Sequence, residues 1–129
     1  MAKITGIGGV FFHCKDKEAL VTWYRDKLGF EPISDGSFSF LWDQDPKPPR
    51  AQYSVWGPFS DKSTYFEPSA KNFMINFRVD DLKAYVAELG EKGVSLEGDM
   101  LDEPYGKFAW VMDPEGNKIE LWEAVELDG

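Results

Sequence analysis

Two periods of hydrophobic and polar positions follow each other at the start of the chain. An apolar run at residues 10–14 is typical of a short strand, and Asp16 follows it as a suitable helix N-cap. Apolar residues then recur at helical spacing until Gly29, which suits a left-handed C-cap. The apolar positions are Leu20, Trp23, Tyr24 and Leu28. The pattern predicts a strand followed by one helix.

The same pattern returns in the second half at an offset of 64 residues, which relates Asp16 to Asp80 and Gly29 to Gly93. A second strand-like run covers residues 73–79. The second helical stripe consists of Leu82, Tyr85, Val86 and Leu89. Because the cap, the stripe and the glycine share one offset, we interpret the chain as one unit written twice. The alternative is a pair of unrelated α+β halves that share a cap and a helix.

Three short strand-like segments follow each predicted helix. They cover residues 30–33, 37–42 and 52–56 in the first half and residues 94–96, 107–112 and 117–123 in the second half. Each half is therefore predicted as β-α-β-β-β, at about residues 4–60 and 72–124, with a linker at about residues 57–71. A half of this size is too small to bury a core alone, so we expect one α+β domain over residues 1–129.

Composition limits the classes of partner. Aromatic residues make up 16% of the chain, which is enough to line a pocket as well as a core. The net charge of −9, with no basic stripe, argues against binding to nucleic acid or an anionic membrane. No apolar run is long enough to span a membrane, and no signal peptide is visible. The single cysteine, Cys14, fits a reducing cytoplasm.

Scarce residues exclude several catalytic sites. One histidine, His13, and one cysteine cannot form a tetrahedral Cys/His zinc centre within one chain. There is no Gly-x-Ser-x-Gly elbow and no Walker loop. The glycines at residues 6–9 do not match a dinucleotide-binding loop, because Phe11 occupies the last position of that motif.

Two segments carry a family resemblance. The helix segment Trp-Tyr-Arg-Asp-Lys-Leu-Gly-Phe at residues 23–30 and the turn and strand Asp-Pro-Glu-Gly-Asn-Lys-Ile-Glu-Leu at residues 113–121 resemble the vicinal oxygen chelate superfamily. That superfamily includes glyoxalase I, bleomycin-resistance proteins and extradiol dioxygenases. The resemblance covers about residues 4–124. It implies two tandem modules whose mixed sheets form an open barrel with the helices outside.

The resemblance also implies where metal ligands would stand. In the metalloenzymes of the family, four inward-facing side chains hold a divalent ion. Counting along the strands places the first, third and fourth ligands at Gly9, Met74 and Glu120. The second falls at Ala51, Gln52 or Ser54, within residues 46–60, which contain no Asp, Glu, His or Cys. Only Glu120 is a strong ligand, so we expect no metal cofactor.

Strand alternation defines a candidate groove. On the first strands of the two modules the inward set is Gly9, Phe11, His13, Met74, Asn76 and Arg78, and on the last strand it is Lys118, Glu120 and Trp122. The face of residues 52–56 stays open between Gln52, Ser54 and Trp56 or Tyr53 and Val55, and the face of Phe108, Trp110 and Met112 is also open. The apolar residues on the opposite side are expected to lie under the helices.

We therefore predict a small-molecule site with Glu120 as the candidate catalytic group. The predicted ligand-binding residues are Phe11, His13, Gln52, Met74, Asn76, Arg78, Trp110 and Trp122. Alternative interpretations are a structural ion pair between Arg78 and Glu120 and a strand-end role for His13. Tyr65 and Tyr105 lie in predicted loops that could cover the groove.

The leading hypothesis is a cytoplasmic, homodimeric small-molecule-binding protein of the glyoxalase/bleomycin-resistance type that lacks the family metal. A first alternative is a glyoxalase-like lyase or isomerase, or a dioxygenase-related enzyme, in which Glu120 acts as general base or metal ligand and Arg78 polarises an oxyanion. A second is a structural or interaction module with a filled barrel.

Overall fold

The computed structural model of the chain describes residues 2–33, 35–42 and 53–125. Two helices and seven strands follow in the order β1 (Ile4–Cys14), α1 (Lys17–Leu28), β2 (Phe38–Leu41), β3 (Tyr53–Ser60), β4 (Phe73–Val79), α2 (Leu82–Glu91), β5 (Leu101–Glu103), β6 (Gly106–Met112) and β7 (Lys118–Ala124). The α+β class is as predicted.

The seven strands form one mixed sheet in the order β2-β3-β1-β4-β7-β6-β5. The central pair β1–β4 is antiparallel, while β1–β3 and β4–β7 are parallel. The outer pairs are antiparallel. The terminal strands β2 and β5 do not pair with each other in the described part of the chain, so the sheet is not closed. On each side of β1–β4 a parallel pair is thus followed by an antiparallel pair, and the β4 side carries one more strand, β5, in the described residues.

Local sequence explains both ends of α1 and the start of α2. The Asp16 carboxylate accepts a hydrogen bond from the Ala19 N–H at 3.0 Å, and Gly29 ends α1 with a φ of 78°. The cap of α2 is Asp81, whose carboxylate accepts from the Ala84 N–H at 3.2 Å. The match of Asp80 to Asp16 was therefore wrong by one residue, because Asp80 instead accepts from the Lys3 N–H at 2.9 Å.

Two predicted strands do not form. Residues 30–33 lie outside the strands, and the Phe30 ring packs on those of Phe38 and Trp56, with centroids 5.0 and 5.2 Å away. Residues 94–96 are also outside the strands, because the Val94 N–H bonds back to Leu89 O at the end of α2. Their apolar side chains are used for packing, and the short β5 takes the edge of the sheet instead.

The two faces of the sheet carry separate cores. On the α2 side, Leu82 packs with the sheet residues Val79, Ala109, Val111 and Leu121. On the opposite side Met74 packs with Trp110 and with Phe66 from the segment before β4. Helix α1 packs over β3, and α2 over β6 and β7. The expectation that helices cover the whole apolar face was wrong at β1, where Ile4, Ile7 and Val10 are 40–50% exposed.

Neither helix in the described part of the chain is long and apolar enough to cross a membrane.

Candidate functional site

A groove of about 540 Å³ lies on the side of the sheet opposite the helices. Its lining comes from β1, β2, β3, β4, β6 and β7 and from the loops beside them, and includes Gly8, Phe11, Ile33, Asp35, Ser37, Ser39, Tyr53, Val55, Asn76, Tyr105, Phe108, Glu120 and Trp122. Of the two possible faces of β3, the one with Tyr53 and Val55 therefore lines the groove. Trp56 points the other way and contacts the Tyr24 ring of α1 at 4.5 Å between centroids.

The carboxylate of Glu120 is the buried polar centre of this groove. Glu120 is 3% exposed and accepts a hydrogen bond from Asn76 Nδ2 at 2.6 Å and another from Trp110 Nε1 at 3.0 Å. Asn76 and Trp110 lie beside it because each is its Cα partner across β4–β7 and β6–β7. The strand register therefore builds the group from three neighbouring strands.

A third donor reaches the carboxylate from the segment between β3 and β4. The Tyr65 hydroxyl donates to Glu120 Oε1. Lys118 Nζ donates to the Tyr65 carbonyl at 2.7 Å and lies over the rings of Tyr65 and Trp110. Burial, followed by the nearby negative charge of Glu120, raises the pKa of Tyr65 far above its usual value, so the phenol stays a donor. Burial also lowers the pKa of Lys118.

Arg78 is not among the lining residues of the groove. It is 3% exposed, and its guanidinium carbon lies 4.8 Å from the Trp122 ring centroid and 5.4 Å from that of Tyr53. These contacts are cation–π interactions. Arg78 therefore contacts two rings of the groove wall.

The other predicted ligand-binding residues divide into two groups. Phe11, Asn76 and Trp122 line the groove together with Glu120. His13, Met74 and Trp110 do not: the His13 ring stacks on Phe66 at 4.4 Å, and Met74 and Trp110 belong to the Phe66 cluster. Gln52 lies outside the described residues. None of these placements tests ligand binding itself, so the roles remain predictions.

A bulge in β1 places two glycines on the groove side. The register of β1 with β4 shifts between Ile7 and Gly9, so Gly8 is an extra residue. A Cβ at Gly8 would lie 2.3 Å from Asn76 Oδ1, and a Cβ at Gly9 would lie 3.1 Å from the Phe11 ring. Asn76 thus fills the space that a side chain at position 8 would occupy, and its Oδ1 has no hydrogen-bond partner among the described residues.

These positions do not fit the family's divalent metal. The β4 residue beside Glu120 is Asn76 rather than Met74, because the Cα partner of Glu120 across β4–β7 is Asn76. Gly8 and Gly9 offer no side chain, and Ser54 Oγ is bonded to a backbone carbonyl, that of Ile7. Within the described ranges no three Asp, Glu, His or Cys side chains gather into a group that could hold an ion. One carboxylate and one amide are too few ligands for such an ion.

Gly8, Asp35 and Tyr65 are among the residues of the site that sequence reasoning missed. Gly8 was missed because a bulge is not visible in a one-strand pattern, and Asp35 because a turn residue gives no sign of where its loop folds. Tyr65 was placed in a loop that could cover the groove, but its contact with Glu120 was not predicted. The neighbouring aromatic pair Tyr65 and Phe66 was the available signal, since such a pair in a polar linker is expected to be buried on one side.

Comparison with known proteins decides the family. The sequence model of the Glyoxalase/Bleomycin resistance protein/Dioxygenase superfamily matches residues 6–121. The chain belongs to this superfamily. No protein with a curated description is significantly similar to it in sequence.

Solved structures of the superfamily share the fold. Methylmalonyl-CoA epimerase from Mycobacterium tuberculosis is 21% identical with a TM-score of 0.61, over 95% of this chain and 89% of that chain. A variant of the Streptomyces coelicolor methylmalonyl-CoA epimerase is 21% identical with a TM-score of 0.66, over 98% and 100%. A superfamily member from Vibrio splendidus is 14% identical with a TM-score of 0.58, over 95% and 99%. At these identities the likeness shows the fold alone.

Proposed function

We propose that this protein binds a small molecule in the groove over Glu120 and does so without the superfamily's metal. The observation that carries the proposal is the buried carboxylate of Glu120, 3% exposed, at an aromatic groove of about 540 Å³. Pockets for small ligands are concave, mostly apolar and about 300–1,000 Å³ in volume, with a few polar groups that orient the ligand. The groove has each of these properties.

The hydrogen bonds of Glu120 support a metal-free site. Its Oε1 accepts from Tyr65 and Trp110, and its Oε2 accepts from Asn76. A carboxylate has about four lone-pair positions, of which three are used here by neutral donors of the protein itself. One position is left, whereas a divalent ion needs several ligands, and the neighbouring described positions supply no others.

Tryptophan fluorescence tests the proposal directly, because Trp122 lines the groove and Trp110 bonds to its carboxylate. Titration with a panel of aromatic amines, alcohols and carboxylates is expected to give saturable changes with at least one compound. The fluorescence response should weaken in Phe108→Ala, which removes a lining ring, and persist in Val10→Ala, which lies on the opposite face of the sheet. Silence across the panel would contradict binding and favour the alternative of a structural module.

An enzyme is the second candidate. The neighbours in the fold include epimerases, and a base that removes a proton from carbon is needed for such a reaction. Glu120 is the carboxylate placed for that role, as a lyase or isomerase of this superfamily would use it. Glu120→Gln should then abolish turnover while binding remains nearly intact. Unchanged turnover in this variant would exclude Glu120 as the base.

We further propose that the two halves are tandem copies of one β-α-β-β-β module that together form an open barrel. The matching pairing pattern on either side of β1–β4 supports this. A homodimer is proposed because Ile4, Ile7 and Val10 leave apolar surface on the sheet. The single Cys14 supports a cytoplasmic location, and the acidic charge supports the absence of nucleic-acid and membrane partners.

A further inference from the structure

The described groove wall lacks the positive charge that the sequence predicted for it at Arg78. Among its described lining residues the ionisable side chains other than tyrosines are Asp35 and Glu120, and no Lys or Arg is among them. Arg78, one of the predicted ligand-binding residues, is not among the lining residues, and its guanidinium lies over the rings of Trp122 and Tyr53. The described wall therefore carries two acidic groups and no cation that faces the ligand space.

Two buried polar atoms of the lining residues have no hydrogen-bond partner among the described residues: the acceptor Asn76 Oδ1 and the donor Trp122 Nε1, which lies beside position 106. Asn76 is 2% exposed, and its Oδ1 is without a partner among the described residues. Its orientation is defined, because Nδ2 of the same amide donates to Glu120 Oε2 at 2.6 Å. That Glu120 oxygen has one further lone pair. A ligand that approaches these two oxygens must bring N–H or O–H donors to satisfy them.

Aromatic rings surround the same space. Tyr53, Phe108 and Trp122 line it, and the Tyr53 and Trp122 rings meet edge to face, with centroids 5.4 Å apart. Tyr105, which also lines the groove, is 64% exposed. Ring faces attract cations, most strongly where water is excluded. The rings thus favour the same charge as the carboxylates.

After the hydrogen bonds from Ser37, the positive charge of Lys17 also lowers the pKa of the Asp35 carboxyl, and two further protein cations near the groove are already engaged. Arg78 lies over ring faces of Trp122 and Tyr53, and Lys118 Nζ is bonded to the Tyr65 carbonyl. Both belong to the wall rather than to the open space, since neither lines the groove. Their charges reduce the negative electrostatic potential in the groove, but neither side chain is in position to bind an anionic ligand there.

On the basis of the proposed binding function, we propose that the ligand is a small organic cation, a primary amine on an aromatic body. Its ammonium group lies against Glu120 and Asn76 and donates to their oxygens, while its ring packs among Tyr53, Phe108 and Trp122. Asp35 contributes a second negative charge to the lining. This assigns the charge of the ligand, which the proposed function leaves open.

Isothermal titration calorimetry with three aromatic probes of similar size and different charge tests the charge of the ligand. Phenethylamine is expected to bind about tenfold or more tightly than phenethyl alcohol, because its ammonium is a charged donor to Glu120, and phenylacetate is expected to bind most weakly, because its charge is repelled by the two acidic groups. Equal affinity of the three probes, or tighter binding of phenylacetate, would overturn the proposal while leaving small-molecule binding intact. Failure of all three, with binding of another uncharged aromatic compound, would overturn it as well.

Variants test whether the Glu120 carboxylate causes the preference for a cationic ligand. Glu120→Gln should remove most of the preference for phenethylamine over phenethyl alcohol, and Asp35→Asn should reduce it by less, because Asp35 is exposed. Glu115→Gln changes the net charge by the same amount at an exposed turn residue and is the matched control. A preference that survives Glu120→Gln, or is lost equally in Glu115→Gln, would contradict the assignment. If no aromatic compound of any charge binds, the proposed function and this inference both fall.

Discussion

Substitution of Gly8 by alanine tests the geometry of the groove floor. The added Cβ would lie 2.3 Å from Asn76 Oδ1, 2.9 Å from Arg78 Cγ and 3.0 Å from Trp122 Cε3. All three neighbours belong to buried residues that are 2–7% exposed, so none can move into solvent. The Asn76 side chain must shift, and its 2.6 Å hydrogen bond to Glu120 is lost or lengthened.

The expected loss of stability follows from two contributions. Overpacking a buried position costs about 1–3 kcal/mol, and a hydrogen bond to a charged group contributes about 1.5–3 kcal/mol. The two overlap, because movement of Asn76 relieves the clash, so we expect a total of about 2–4 kcal/mol. For a chain of 129 residues this corresponds to a fall in Tm of about 7–15 °C.

Thermal unfolding followed by circular dichroism measures the effect, with Gly90→Ala as the control. Gly90 lies in α2, and a Cβ there would meet no atom within 4 Å. This control should raise stability by about 0.5 kcal/mol through helix propensity. If Gly8→Ala unfolds at the wild-type temperature, position 8 does not face Asn76 and the register of the groove is wrong.

Three further predictions follow from local contacts. Replacement of the α2 cap in Asp81→Ala should cost about 1 kcal/mol in urea unfolding; an unchanged midpoint would show that the cap does not contribute. Because the folded state raises the pKa of Tyr65, the contribution of its neutral phenol to stability should be complete below pH 10.0 and fall at higher pH. The fall in the free energy of unfolding should be smaller in Tyr65→Phe. Identical pH profiles of stability for the two proteins would argue against burial of the phenol. Hydrogen bonds from Ser37 lower the pKa of Asp35, so the contribution of Asp35 to stability should be present above pH 3.8 and lost as pH falls. In Asp35→Asn the decrease of the free energy of unfolding at acid pH should be smaller. An unaltered decrease would contradict these hydrogen bonds.

The parts of the fold that depend on local sequence were predictable. The Asp16 cap, the Gly29 terminus and the two-residue period of β4 and β7 are properties of neighbouring residues. The two missing strands show the limit of this reasoning. Residues 30–33 and 94–96 have an apolar pattern that fits either a strand or the packed end of a helix, and tertiary packing decides between them.

The candidate site was harder to predict because it depends on pairing between distant strands. Asn76 and Glu120 were both placed on the inner face, but their contact requires the register of β4 with β7. The bulge at Gly8 and the Tyr65 hydroxyl depend on contacts across the sheet and have no local pattern of their own. Arg78 was expected at the ligand, whereas the rings of Trp122 and Tyr53 cover it.

The most direct test of the proposed metal-free site is the metal content of protein purified without chelator, measured by plasma mass spectrometry for the wild type and for Glu120→Ala. Because the Glu120 carboxylate is held by Tyr65, Trp110 and Asn76, both proteins should contain divalent ions only at the background level of the buffer. One firmly bound divalent ion per wild-type chain that is lost in Glu120→Ala would contradict the proposal.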